Sequence, residues 1–145
     1  MKVLLQRVSR AEVMVAGETV GKISEGLLLL VGVERDDGAE QVARMAEKLL
    51  GYRVFADASG RMNLSVTDMG GELLVVSQFT LVADTAAGRR PSFSAAATPA
   101  QAQALYEDLC QRLRSSGLTV ATGRFAADMQ VALVNDGPVT FLLHT

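Results

Sequence analysis

Apolar residues along this chain recur with two periods, and the switches between them mark out its elements. Residues 2–8 and 11–23 read as strands. In the second, Val13 and Val15 stand between polar neighbours, Gly17 supplies a turn, and Val20 and Ile23 resume beyond it, which predicts a hairpin. From Gly26 to Val33 the alternation vanishes. Leu27-Leu28-Leu29-Leu30-Val31 is apolar on both faces, so this strand needs cover on two sides and belongs in the middle of a sheet. Asp37 and Glu40 then have the spacing of a capping box, and Val42, Met45, Ala46 and Leu49 fall on one face of a helix that ends near Gly51.

Strands at Tyr52–Ala56 and Met62–Leu64 flank the turn-rich Asp57-Ala58-Ser59-Gly60 and predict another hairpin. Gly70-Gly71 precedes a strand from Glu72 to Phe79. Between Val82 and Ala97 no period is found, and a loop of that length in a compact domain is more often functional than filler. Thr98 as N-cap, Pro99 at the first helical position and Gln101 at the third open a second helix, whose Ala102, Leu105, Tyr106, Leu109 and Leu113 form the buried stripe and which Gly117 closes. Strands at Leu118–Ala121, Met129–Val134 and Val139–Leu143 complete the chain, the last two joined through Asn135-Asp136-Gly137-Pro138. The pattern predicts an α+β fold: a mostly antiparallel sheet or partial β-barrel with two packing helices, in a single domain of residues 1–145.

Composition narrows the function classes. With 145 residues, 49% hydrophobic and 21% charged, the chain should bury roughly two-thirds of the surface its unfolded form exposes. The longest apolar run, Leu27 to Val31, is far short of the ~20 residues a membrane span needs, and the first seven residues turn polar too soon for a secretory segment. A soluble, cytoplasmic protein is expected. The lone Cys110 forbids an internal disulfide, and with the single His144 it cannot build a zinc site. Asp36-Asp37 reads as a helix start rather than a Mg²⁺ ligand pair, so neither metal nor cofactor is expected. A net charge of −2 supplies no general attraction to a nucleic-acid backbone; DNA is not an expected partner, and any nucleic-acid contact should be local.

Known catalytic layouts are missing: there is no G-x-S-x-G elbow, P-loop or G-x-G-x-x-G, and no second His or Cys to pair a nucleophile with a base. His144, next to last in a strand, reads as a surface residue, and Cys110 as a small core hydrophobe. Two segments depart from what packing alone would write. In the first, a strongly apolar strand ends in Ser77-Gln78-Phe79-Thr80. On an ideal strand Ser77 and Thr80 face opposite ways, so they cooperate only if the chain bends near Phe79; otherwise the hydroxyls serve a local turn. The second is Asn135-Asp136-Gly137-Pro138-Val139-Thr140, where Gly-Pro between strands is a turn by default.

With these segments, the opening Met1-Lys2-Val3-Leu4-Leu5-Gln6-Arg7-Val8 and the loop Gly88-Arg89-Arg90-Pro91-Ser92-Phe93 in view, the whole chain closely resembles the D-aminoacyl-tRNA deacylase family. Ser77-Gln78-Phe79-Thr80 matches that family's S-Q-F-T motif, and Asn135 to Thr140 its N-x-G-P-V-T motif. The resemblance implies hydrolysis of the ester joining a D-amino acid to the terminal adenosine of tRNA, with activity on glycyl-tRNA as well. It implies a homodimer in which Gly137 and Pro138, with a cis bond, reach into the partner's pocket above Ser77, Gln78, Phe79 and Thr80, while Arg7 holds the Gly-Pro segment. Main-chain oxygens there would exclude an L side chain and leave a D side chain outside.

Thr80 has no identifiable base beside it in the sequence, which argues for positioning water, with the substrate's ribose 2′-hydroxyl, rather than for nucleophilic attack. Phe93 or Phe79 could stack on the adenine and Arg89 or Arg90 meet phosphates; an ordinary solvated loop is the alternative. Two other functions fit the same residues: a dimeric interaction module without catalysis, and a small-molecule esterase using Thr80 or Ser77.

Overall fold

A computed structural model describes residues 1–145. Three strands open it: β1 (Lys2–Val15), β2 (Glu18–Ile23) and β3 (Gly26–Gly32). Helix α1 (Ala39–Gly51), the small hairpin β4 (Phe55–Ala56) and β5 (Met62–Leu64), the single turn α2 (Val66–Met69) and strand β6 (Glu72–Ser77) follow. A 3-10 turn (Phe79–Val82), helix α3 (Pro99–Arg114), β7 (Val120–Thr122) and β8 (Gln130–His144) complete it.

The main sheet runs β2-β1-β3-β6-β7, with β8 on the other side of β1. Strand β1 is antiparallel to β2, β3 and β8, whereas β3, β6 and β7 are mutually parallel. The parallel part follows from the crossovers: α1 lies between β3 and β6 in the chain, and α3 between β6 and β7. The edges β2 and β7 then approach each other and nearly close a barrel. At Gly21 a Cβ would sit 2.5 Å from the Thr122 carbonyl oxygen, so only glycine lets the two edges meet.

Strand β3 has the two-sided burial its sequence demands. Leu27, Leu29 and Val31 belong to the larger core, packed with Met45 and Leu49 of α1 and Leu109 and Leu113 of α3; Leu28 belongs to a smaller core inside the barrel with Val8, Val13, Ile23 and Leu74. Each such buried leucine contributes roughly 1.5–3 kcal/mol. Tyr106 fixes α3 to the sheet through a buried bond from its hydroxyl to the Val75 carbonyl, 2.8 Å.

Several expected boundaries move. Ser9 and Arg10 do not interrupt the first strand: β1 runs through them because its pairing passes from β3 to β2 while β8 stays alongside. Asp37 does not cap α1. Its carboxylate is taken by the Met1 ammonium and the Glu34 N–H, so the cap is Gly38, whose N–H donates to the Gln41 side chain at 2.9 Å. Thr98 does cap α3, but Gln101 turns its amide to the Arg35 and Asp37 carbonyls and ties α3 to the β3–α1 connection. The Ser65–Asp68 capping box gives α2, an element the apolar pattern is too short to reveal. The expected turn at 135–138 lies within one continuous strand, β8. No helix is long and apolar enough to cross a membrane.

Candidate functional site

Strand β6 ends beside β3, where Ser77 stands opposite Val31. The Gln78 N–H still reaches the Val31 carbonyl at 2.7 Å, but Gln78 leaves strand geometry (φ −137°, ψ 78°) and the chain folds into the 3-10 turn. Val82, buried, anchors that turn, and Leu81 and Ala83 close it through bonds to the Gln78 and Thr80 carbonyls. This is the bend that cooperation of Ser77 with Thr80 requires, one residue earlier than the sequence suggests. Within it Gln78 Nε2 donates to Thr80 Oγ1 at 2.5 Å. The N–H groups of Phe79 and Thr80 open the turn and have no partner inside it.

The bend forms one wall of a pocket of about 500 Å³. Val31, Val33, Val76, Ser77, Gln78 and Phe79 line it from the strand ends; Ala96, Ala97, Pro99 and Ala102 line it from the start of α3; Phe125, Ala126, Ala127 and Met129 line it from the β7–β8 connection. No titratable side chain lines it. Thr80 is outside the lining but touches it through Gln78. Phe79 is 61% exposed and stacks at a tilt against Phe93, with ring centroids 5.2 Å apart, so the two aromatics form a lip at the pocket's edge. Arg89 and Arg90 sit in an exposed loop pinched by paired main-chain bonds between Asp84 and Ser92, and neither makes an ion pair.

Arg7, Gly137 and Pro138 form a second group, and none of them lines this pocket. The Gly137–Pro138 bond is cis, and both residues are exposed. Arg7 Nε donates to the Asp136 carbonyl at 3.0 Å, and its Nη1 to the Val54 carbonyl at 2.7 Å. A Cβ on Gly137 would lie 2.7 Å from the Val139 side chain and 3.2 Å from the Arg7 guanidinium, and its φ of +137° is one that only glycine holds readily.

The remaining reactive side chains lie elsewhere. Burial pushes the Cys110 thiol above its usual range, outweighing the opposite pull of Tyr106, which keeps it a protonated core residue. His144 pairs with Glu34 at 2.8 Å at the far end of β8, and its side chain is exposed. No group of three or more His, Cys, Asp or Glu side chains comes together. Ala96 and Ala97 of the pocket wall end the aperiodic Val82–Ala97 loop, where a functional role is expected, whereas Pro99 and Ala102 read only as a helix start and its buried stripe and nothing in the sequence points to Phe125–Met129. Within that wall Ala126 has a φ of +61°, unusual for alanine and not announced by any residue around it.

Two long helices on a near-barrel, with an apolar pocket at the C-terminal ends of parallel strands, define a small α+β protein with a ligand-sized cleft. Residues 4–144 match the family model described as D-Tyr-tRNA(Tyr) deacylase. The chain is 62% identical to a D-aminoacyl-tRNA deacylase of Alcanivorax borkumensis and 63% identical to one of Azotobacter vinelandii, in each case over 99% of both chains. Among solved structures it is similar to the c-Myc DNA Unwinding Element Binding Protein, at 40% identity and a TM-score of 0.94 over 100% of this chain and 99% of that one. A probable eukaryotic D-amino acid tRNA deacylase shares the fold at 18% identity, with a TM-score of 0.86 over 99% and 98% of the two chains. The chain therefore belongs to the D-aminoacyl-tRNA deacylase family, hydrolases that act on aminoacyl-tRNA.

Proposed function

We propose that the pocket at the end of β6 receives the aminoacyl ester and terminal adenosine of D-aminoacyl-tRNA, and that Gly137 and Pro138 from a second copy of the chain complete it. One observation carries this reading. The pocket that holds Ser77, Gln78 and Phe79 has no titratable group, while the Gly-Pro segment is displayed outward on β8, away from the pocket of its own chain. A second copy is favoured by β8 itself, which leaves one edge unpaired and exposes Val134, Phe141 and Leu142.

In this reading water attacks the ester carbonyl carbon, the oxygen of the tetrahedral intermediate draws on main-chain N–H groups at the bend, and the carbon–oxygen bond to the ribose breaks. The products are free D-amino acid and tRNA with its hydroxyl restored. Positioning and N–H stabilisation suit an ester that is already reactive. Thr80 orients rather than attacks: its hydroxyl accepts from the Gln78 amide, and a carboxamide takes no proton at neutral pH, so no neighbour activates it. The ribose 2′-hydroxyl of the substrate helps orient the water.

Main-chain oxygens of Gly137 and Pro138 exclude an L side chain, and glycyl-tRNA, with no side chain to exclude, is also hydrolysed. The enzyme acts as a chiral proofreader of translation in the cytoplasm. The net charge of −2 gives no support for carrying DNA binding over from the c-Myc-related neighbour.

Purified protein given D-tyrosyl-tRNA, L-tyrosyl-tRNA and a simple aryl ester, without added metal, tests this. Loss of the first alone is expected. Equal loss of both tRNAs would remove the chiral filter, cleavage of the aryl ester would favour a small-molecule esterase, and no hydrolysis at all would leave an interaction module.

A further inference from the structure

The pairing of β8 with β1 breaks at one place. Gln6 faces Thr140 and Val8 faces Asn135, so β1 spends one residue, Arg7, where β8 spends Asp136 to Val139. Gly137 and Pro138 lie in this excess, exposed to solvent and with no partner residue opposite them on β1. An excursion of that size would be mobile unless both ends were tied. Arg7 ties one side, at the Asp136 carbonyl.

Asn135 ties the other. Its Oδ1 accepts from the Val139 N–H at 3.0 Å, and its Nδ2 donates to Thr140 Oγ1 at 2.8 Å. Thr140 Oγ1 also accepts from Gln6 Nε2 at 3.4 Å, which links the clasp back to β1. Val139 beneath it is buried and packs in the larger core, so the far end of the excursion is fixed in both directions. The two residues before and after Gly137-Pro138 are thereby held at a set separation by one side chain.

We propose that Asn135 is the positioning residue that sets enantiomer discrimination, by holding the excursion closed so that the main-chain oxygens of Gly137 and Pro138 keep one direction. This rests on the function proposed above, in which those oxygens are the filter. Asn135 touches no substrate. Loosening its clasp lets the excursion open and admits the L side chain, while the Ser77–Thr80 bend that serves the ester is untouched.

The test compares deacylation of D-tyrosyl-tRNA and L-tyrosyl-tRNA by Asn135→Leu, Asn135→Asp and Thr140→Val. Asn135→Leu, similar in volume but unable to bond, should lower the D-to-L rate ratio about tenfold or more, chiefly by raising the L rate. Asn135→Asp keeps the acceptor for Val139 and can accept from the Thr140 hydroxyl, so it should restore the ratio to near wild type. Thr140→Val removes one of the two bonds and should fall between them. Faster hydrogen exchange at the Val139 amide in Asn135→Leu should accompany the change.

A wild-type ratio in folded Asn135→Leu and Thr140→Val overturns the proposal. Should Asn135→Leu fail to fold, Thr140→Val decides alone: an unchanged ratio overturns it and a lowered one supports it. Lack of discrimination by the wild-type enzyme would instead bring down the function reading.

Discussion

The Arg7 guanidinium and the Asp136 carbonyl meet at 3.0 Å, at the residue immediately before Gly137. The same guanidinium reaches the Val54 carbonyl at 2.7 Å, so one side chain joins the Gly-Pro excursion to the segment that leads into the β4–β5 hairpin. A planar fork can serve two carbonyls that diverge in this way; an ammonium on a flexible stem cannot hold both at once. Arg7→Lys should therefore behave more like Arg7→Ala than like wild type. Both should lower the D-to-L rate ratio, and Arg7→Ala should cost about 1–3 kcal/mol of stability through the carbonyl bonds it removes. Urea unfolding together with paired deacylation assays checks both. Full discrimination in Arg7→Lys would show that a point charge suffices.

The Thr80 hydroxyl is bonded to an amide rather than to a base. Thr80→Ser should keep deacylation within about tenfold of wild type, and Thr80→Ala should slow it by about 10²-fold without abolishing it, as expected where a positioning contact is lost. Rapid quenching of wild type with D-tyrosyl-tRNA should trap no acyl-enzyme. A covalent intermediate that disappears in Thr80→Ala along with all activity would establish Thr80 as the nucleophile.

Glu34 holds the two ends of the chain together. Partial burial works to raise its carboxyl, but hydrogen bonds from the Met1 ammonium and from His144 outweigh that, and the net displacement is downward. A carboxyl lowered in the folded state contributes stability that is present in full above about pH 4.3, where the unfolded chain is ionised, and that is lost as pH falls through the folded value. Glu34→Gln should thus be less stable than wild type at neutral pH, with the gap narrowing on acidification. Denaturant midpoints measured from neutral pH down to about pH 3 follow this. A gap that stays constant with pH would mean that the ion pairs contribute nothing.

How much of this was legible in the sequence depended on whether a residue's partner was near it in the chain. The unbroken apolar run of β3 could only be a strand covered twice, and its leucines do divide between two cores. Thr98 and Pro99 announced α3 because a cap is a local device. Asp37 misled for the converse reason: its carboxylate is claimed by the Met1 ammonium, a partner brought in by the fold. Gly137-Pro138 reads as a turn when only its neighbours are considered, yet β1 carries the strand past it and Arg7 fastens it. Ser77 to Thr80 stood out because hydrogen-bonding residues ended an apolar strand. Ala126 and Ala127, which shape the same pocket, contribute walls rather than chemistry and give no signal, while Ala96 and Ala97 stand out only as the end of a loop too long to be filler.

Arg89 and Arg90 present the remaining question of how the tRNA beyond its terminal nucleotide is held. Both stand in an exposed loop whose base leads directly to Phe93, the partner of Phe79 at the pocket lip. Neither is neutralised by an acidic neighbour, in a chain whose net charge is −2. A strand whose last base enters the pocket would pass its preceding phosphates close to this loop. Each phosphate contact on single-stranded nucleic acid contributes roughly 0.7 to the slope of log affinity against log salt concentration. The double variant Arg89→Ala, Arg90→Ala should therefore raise KM for D-tyrosyl-tRNA at low salt, leave kcat nearly unchanged, and flatten the salt dependence by about one to one and a half. The two profiles should converge at high salt, where the wild type has lost the same contacts to screening. Identical salt slopes for the two proteins would make the loop a solvated bystander, with the backbone held elsewhere.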